Sequence, residues 1–277
     1  MTQKYAVIGN PIGHSKSPFI QQKFAEQTGR DLTYIAIEGT LGAFRKEVDA
    51  FRAEGGCGMN VTAPFKIDAF NYATDLTEQA RLAGAVNALK FEGDRVYAQN
   101  FDGLGLVRDI VHNLRVPMLG RRVLLLGAGG AARGAMLPFL KEKPAKLLIV
   151  NRTVSKAKAL FEEFSPYTDC EFAYSSYPDL AASPEPFDLI VNATSASLKG
   201  ELPSVAAGVF TPVCVAYELL YGKGLTPFLK FAQGGGVQKV SDGIGMFVEQ
   251  ASEAFTWWQG VRPQTAAMIA SLTVPLV

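Results

Sequence analysis

The sequence predicts an α/β protein with parallel sheets covered by helices, and three observations carry that reading. Short apolar, strand-like runs alternate with amphipathic stretches along the whole chain. The alternation restarts near Gly120 as a second series, which opens with a strand followed by a glycine-rich turn. The composition, 48% hydrophobic and 19% charged over 277 residues, supplies apolar material for one large core or two of ordinary size.

In the first series, residues 5–9 read as a strand and 18–28 as a helix closed by Gly29. Residues 32–37 follow as strand, 41–53 as helix and 58–61 as strand. In the second, 122–127 form a β-branched and leucine-rich strand, and a helix runs from the glycines through Leu140. Residues 147–151 are strand, 155–164 helix and 188–192 strand. Residues 103–114 read as a helix connecting the two series, with the boundary near 102–105. The last helices, from Gly243 onward, are rich in large apolar residues and need a surface to cover, so they are expected to return to the first domain.

Several classes of function are set aside by the bulk properties. A net charge of +1 suggests neither nucleic acid nor a membrane surface as partner. The longest apolar runs, 123–132 and 145–150, are too short to span a bilayer. The start, Met1-Thr2-Gln3-Lys4, leads straight into a strand without the pattern of a secretory signal. Cys57, Cys170 and Cys214 lie far apart and show no metal-type spacing, and His14 and His112 are the only histidines. No metal is expected, and a reducing cytoplasm is the expected location. Oligomeric state is not legible.

The segment Gly127-Ala128-Gly129-Gly130-Ala131-Ala132 contains the pattern G-x-G-x-x-A. It follows an apolar strand, opens a helix and precedes a second strand that ends about twenty residues on, the context of a dinucleotide-binding turn. Glycine is needed there because the backbone turns tightly and approaches a pyrophosphate at the helix amino terminus. Where an NAD enzyme places an acid to hold the ribose hydroxyls, this chain has Asn151-Arg152-Thr153 with Lys156 close behind. Arg152 can grip a ribose phosphate through its planar donor fork, and Thr153 and Lys156 can add donors, so NADP is expected over NAD. The next strand ends in Asn192-Ala193-Thr194-Ser195, which reads either as a ligand edge or as a plain turn.

The first series has its own polar turns. Gly9-Asn10-Pro11 leads to Ser15-Lys16-Ser17-Pro18, whose hydroxyls and free amides suit a carboxylate, although Ser17 before Pro18 is equally a helix cap. Ser15 has no such structural role in this reading. Asn60-Val61-Thr62-Ala63-Pro64-Phe65-Lys66 ends a strand, and Pro64 holds Ala63 extended so that Thr62 and Lys66 project from the strand end. Lys66 is either a solvated charge or a functional one. Asn87 lies in the small-residue run 83–88, an odd place for an exposed amide, and Asp102 reads as a functional carboxylate or as a helix cap.

Taken together, these segments resemble the shikimate dehydrogenase family over essentially the whole chain. The carriers are Gly9-Asn10-Pro11 with Ser15-x-Ser17-Pro18, Asn60-Val61-Thr62 with Pro64-Phe65-Lys66, Gly84-Ala85-Val86-Asn87, Asp102-Gly103, the glycine turn and Asn151-Arg152-Thr153. Thr226-Pro227-Phe228 and Asp242-Gly243-Ile244-Gly245-Met246 add to them. The resemblance implies a two-domain α/β fold, a substrate domain plus a Rossmann-type dinucleotide-binding domain with a cleft between them. The expected limits are 1–103 for the substrate domain, completed by helices in 243–277, and 104–242 for the NADP domain.

By the same resemblance, Ser15, Ser17 and Tyr221 bind a substrate carboxylate, and Thr62, Asn87 and Gln250 contact the ring or its hydroxyls. Lys66 and Asp102 form the catalytic pair. Gly127, Gly129, Gly130, Ala131, Asn151, Arg152, Thr153, Lys156, Thr194 and Gly243 bind the nucleotide. Gln250 has independent support: it lies one helical turn from Met246 and Ala254 on an apolar helix, where a buried amide needs a partner.

The implied reaction interconverts shikimate and 3-dehydroshikimate with NADP(H), and small molecules are the only partners it implies. Lysine, whose ammonium ordinarily titrates at about 10.4, is a poor base near neutrality unless buried. Lys66 therefore acts as base or as stabiliser of a developing alkoxide, and the sequence leaves both open.

Departures from the family pattern qualify the substrate. Phe101 stands where threonine usually precedes the aspartate, Ala88 follows Asn87 in place of threonine, Glu218 replaces an aspartate and Lys156 an arginine. Phe101 is expected to narrow the pocket or displace Asp102. A paralogue preferring quinate or another cyclic hydroxy acid is the alternative, and a non-catalytic NADP(H)-binding regulator a more distant one.

Overall fold

Residues 2–276 are described in a computed structural model. The chain divides into two compact units, Met1–Gly105 with Val248–Met268, and Leu106–Phe247 with Ile269–Val277.

The first unit is built from β1 (Gln3–Gly9), α1 (Ser17–Thr28), β2 (Leu32–Glu38), α2 (Phe44–Ala53), β3 (Gly56–Val61), α3 (Lys66–Tyr72), β4 (Asp75–Leu76), α4 (Glu78–Ala83), β5 (Ala88–Glu92) and β6 (Arg95–Gln99). Its sheet has the order β2-β1-β3-β5-β6-β4. Strands β2, β1 and β3 are parallel, as the alternation predicts, but β5 runs antiparallel to both β3 and β6. The sheet is therefore mixed. The reason is local: Gly93-Asp94, with Gly93 at φ 58°, forms a two-residue hairpin turn between β5 and β6. Helix α2 starts at Phe44, three residues later than expected, because Gly42 takes a left-handed φ of 80° and breaks the run. Gly29, at φ 65°, closes α1 as expected.

Helix α5 (Asp102–Arg108) carries the chain onward and passes into a π-helical turn, Asp109–Asn113. The single helix expected over 103–114 changes pitch here. The Leu114 N–H donates five residues back to the Asp109 carbonyl at 2.9 Å. Asp109 is itself buried, and its carboxylate accepts from the Tyr217 hydroxyl at 2.7 Å.

The second unit contains β7 (Arg122–Leu126), α6 (Gly130–Lys141), β8 (Lys146–Val150), α7 (Val154–Phe164), β9 (Glu171–Ser175), α8 (Tyr177–Ala182), β10 (Phe187–Asn192), β11 (Phe210–Glu218), α9 (Pro227–Gly234) and β12 (Lys239–Ser241). The sheet order is β12-β11-β10-β7-β8-β9, and every pair is parallel. Two consecutive runs of strands therefore wind outward from the β7/β10 centre, the doubly wound arrangement of dinucleotide-binding domains. Residues Val123 to Leu126 are all buried, as a central strand covered on both faces requires.

Helices α10 (Ile244–Gln259) and α11 (Ala266–Leu272) complete the chain. The expectation that 243–277 returns whole to the first unit is corrected. Residues up to Phe247 group with the second unit, where the Met246 N–H donates to the Tyr217 hydroxyl and Phe247 stacks on Tyr221. The segment Ile269–Val277 also groups there, with Leu276 packed on that unit's core. From Val248, α10 covers the first sheet: the Trp258 indole N–H donates to the Leu89 carbonyl at 3.0 Å and its ring stacks on Tyr5 at 4.7 Å. Among the described residues no helix is long and apolar enough to cross a membrane.

Candidate active site

The carboxyl ends of β1 and β3 lie side by side in the first sheet, and the polar turns leave from there. The Asn10 N–H donates to the Ala63 carbonyl at 3.0 Å, and a side chain on Gly9 would collide with the Thr62 methyl. Glycine is thus required for the first turn to pass beside Thr62. After Pro64 the Phe65 N–H closes a turn onto the Thr62 carbonyl, and α3 starts at Lys66. This places Lys66 on the first turn of a helix rather than on a free loop.

Lys66 Nζ donates to Asp102 Oδ2 at 2.5 Å, a charge-assisted contact. The other carboxylate oxygen accepts from Asn87 Nδ2 at 2.8 Å. Asn87 is only 3% exposed, and its Oδ1 accepts the Phe101 N–H at 2.8 Å. Its amide also reaches Gln250 Oε1 at 3.5 Å. Four candidates from distant parts of the sequence, Lys66, Asn87, Asp102 and Gln250, therefore form one hydrogen-bonded chain.

Asp102 does not cap α5 with its carboxylate. The buried Asn100 does the local work, accepting the Asp102 N–H at 3.1 Å and donating to the Ala85 carbonyl at 3.0 Å. Asn100 is a positioning group that the sequence reading does not single out. Its signal is present, since an Asn side chain commonly accepts the backbone N–H two residues on and so sets a turn.

Two expectations about this unit are corrected. Ser15 has a structural role, because its Oγ accepts the Ser17 N–H at 3.2 Å. Ser17 is buried, and no side-chain cap is made at the α1 start, where Lys16 occupies the capping position. Phe101 does not crowd Asp102. Its ring, 5% exposed, packs edge-on against Trp257 at 5.7 Å on α10. Phe101→Thr is accordingly expected to cost stability, about 2–4 kcal/mol from a vacated core site, seen as a lower Tm. An unchanged Tm would show that the ring contributes nothing to the core.

In the second unit the glycine turn leaves β7 at its carboxyl end. Gly127 has φ 109°, and a Cβ there would lie 3.1 Å from the Ala193 backbone. At Gly129 and Gly130 an added Cβ would meet nothing within 4 Å, so the backbone is open on that side. Ala131 follows on α6, whose amino terminus faces the same turn without a side-chain cap. At the end of β8, Asn151 Nδ2 donates to the Thr153 carbonyl at 2.9 Å, which holds the turn carrying the exposed Arg152. Thr153 stands just before α7 without capping it, Lys156 is exposed on the first turn, and Glu162 is the first acid of that helix. An open glycine cradle and an acid-free cationic strand end fit an NADP group: pyrophosphate at the cradle, ribose phosphate at Arg152, Thr153 and Lys156.

Thr194 is held by the β10 end, its N–H and hydroxyl both donating to Asn192 Oδ1, at 3.1 and 2.7 Å. Gly243 has a backbone reason of its own, since a Cβ would collide with the Leu219 carbonyl. Tyr221 is 38% exposed and stacks on Phe247 at 5.1 Å, and desolvation on the stacked side together with the nearby Asp242 carboxylate pushes its hydroxyl up. Asp242 also accepts the Gly222 N–H at 3.1 Å, fixing the turn that bears Tyr221.

A parallel six-stranded sheet with an open glycine turn at its switch point, in a chain whose other unit is α/β and holds a lysine–carboxylate pair, defines a dinucleotide-binding protein of the dehydrogenase class. Family models match three stretches: the shikimate dehydrogenase substrate binding domain over residues 7–89, shikimate / quinate 5-dehydrogenase over 109–199, and the shikimate 5'-dehydrogenase C-terminal domain over 243–273. The chain belongs to the shikimate dehydrogenase family. It is 53% identical over 265 residues to the shikimate dehydrogenase (NADP(+)) of Chromobacterium violaceum, covering 96% of each chain. Among solved structures it is similar to an Ael1 enzyme from Pseudomonas putida, with 53% identity, all of both chains covered and a TM-score of 0.95. It is also similar to shikimate 5-dehydrogenase from Thermus thermophilus in complex with NADP(H) and shikimate, at 28% identity, 98% of each chain and a TM-score of 0.85.

Proposed function

We propose that the protein is a cytoplasmic enzyme that interconverts shikimate and 3-dehydroshikimate with NADP(H), its first unit carrying the catalytic pair and its second the nucleotide. The hydrogen-bonded chain Lys66–Asp102–Asn87–Gln250 carries this reading, because it supplies a proton-handling pair held in place by Asn87 and, in Gln250, an amide able to bind a hydroxyl. Three free cysteines suit a reducing compartment.

When bound, NADPH would supply the hydride and NADP would accept it. Lys66 hydrogen-bonds the hydroxyl being oxidised and stabilises the negative charge that develops on its oxygen as hydride leaves carbon. Asp102, joined to Lys66 at 2.5 Å, carries the released proton toward solvent. In reduction the same pair polarises the ketone and returns the proton. Asn87 keeps Asp102 turned toward Lys66, and Gln250 orients a ring hydroxyl. Ser15, Ser17 and Tyr221 take the substrate carboxylate, and Thr62 a hydroxyl beside the Gly9 turn. On the nucleotide side, Arg152, Thr153 and Lys156 select the ribose phosphate, and Gly127 to Ala131 take the pyrophosphate.

Initial rates with shikimate and quinate, each paired with NADP and NAD, test the assignment. Turnover is expected with shikimate and NADP, at a kcat/KM at least about tenfold above any other pairing. A preference for quinate would transfer the protein to a different hydroxy acid, and the absence of turnover with every pairing would remove the enzymatic reading.

A further inference from the structure

A carboxylate with no part in the chemistry above lies at the end of the second sheet. Glu218, the last residue of β11, is 0% exposed. Its Oε2 accepts from Asn192 Nδ2 at 2.9 Å, from the Ser197 hydroxyl at 2.5 Å and from the Thr226 hydroxyl at 3.2 Å. Its Oε1 accepts the Leu220 N–H at 3.3 Å. All four partners are donors, which an acceptor-only carboxylate satisfies and no neutral side chain of the same size does.

Each partner leads somewhere. The amide oxygen of Asn192 holds both polar groups of Thr194. Leu220 immediately precedes Tyr221. The Thr226 hydroxyl also accepts the Leu229 N–H at 3.3 Å and so caps α9. One buried group therefore ties the turn that carries Thr194 to the turn that carries Tyr221. Burial pushes the carboxyl of Glu218 above its ordinary range, and its donors offset part of that rise.

We propose that Glu218 is a positioning residue that sets Thr194 for the nucleotide and Tyr221 for the substrate carboxylate, joining the two binding subsites of the second unit through one buried acceptor. The proposal rests on the functional reading above. Glu218→Gln keeps the shape but turns an amide N–H₂ toward at least one donor, so one side of the junction must open.

The test combines NADPH binding, followed by nucleotide fluorescence, with steady-state kinetics on shikimate. In Glu218→Gln the NADPH Kd and the shikimate KM are each expected to rise about tenfold, with kcat within about threefold of the original. Ser197→Ala, which removes one donor on the nucleotide side only, is expected to raise the NADPH Kd about threefold and leave the shikimate KM unchanged. That variant decides the matter should the first fail to fold. Unchanged affinities in a folded Glu218→Gln protein, or a fall in kcat alone, would overturn the proposal, the second result being that of a merely structural group. The unmodified protein separates the two readings: if it binds NADPH without oxidising shikimate, the enzymatic assignment fails while the Kd still reports on Glu218.

Discussion

Lys66→Ala is expected to lower kcat for shikimate oxidation by about a thousandfold, while the NADPH Kd and the Tm stay close to those of the unmodified protein. A positioned acid or base contributes about 10²- to 10⁴-fold, and Lys66 lies at the centre of that range because it stabilises the developing charge beside the carboxylate that takes the proton. Its ion-pair partner is Asp102, and the two side chains are 32% and 20% exposed, so the pair is screened by water and contributes at most about 1 kcal/mol to folding. Asp102 keeps its bond to Asn87 when the lysine is lost, which holds the carboxylate in place. Glycines 127, 129 and 130 and Arg152 belong to the other unit, so nucleotide binding provides an internal control. Turnover within about threefold of the original would dismiss Lys66 from the reaction.

The second large effect concerns the nucleotide. Arg152→Asp is expected to lower kcat/KM with NADP by about a hundredfold and to raise it with NAD. A hydrogen bond to a charged group contributes about 1.5–3 kcal/mol, which corresponds to about ten- to a hundredfold. The new carboxylate adds repulsion against a ribose phosphate while offering an acceptor to a ribose hydroxyl. The substitution is clean because Arg152 is exposed and its turn is held by Asn151 and the Thr153 carbonyl, not by the guanidinium. Lys156 remains as a second cation, so the loss is partial rather than complete. An unaltered NADP-to-NAD ratio would mean that the phosphate is read elsewhere.

Much of the fold is legible in the sequence because the signals are short-range. The β7–turn–α6 segment is specified within twenty residues by an apolar strand, glycines and an amphipathic helix, and the structure places each where the pattern predicts. The β5–β6 hairpin is equally local, with Gly93-Asp94 between two strand-length runs, yet an expectation of parallel strands throughout passes over it. The π-helical turn at Asp109 is not legible. Nor is the partner of the buried Asp109 carboxylate at its start, Tyr217, which is 108 residues away.

The same division holds at the candidate site. Contiguous residues were enough to specify an open glycine backbone beside a cationic, acid-free strand end in the second unit, since neither feature needs a distant partner. They were also enough to put Asp102 at a helix start. Folding in three dimensions was needed to bring Lys66 to Asp102 at 2.5 Å, to commit Asn87 to Asp102 and to engage Ser15 locally. It was needed as well to turn the Phe101 ring to Trp257 and to gather four donors on Glu218. The physical reason is the same in each case. A side chain's hydrogen-bonding capacity is written in its identity, but its partner is chosen by which distant backbone the folded sheets bring within about 3 Å, and a buried polar group must accept whichever partner that is.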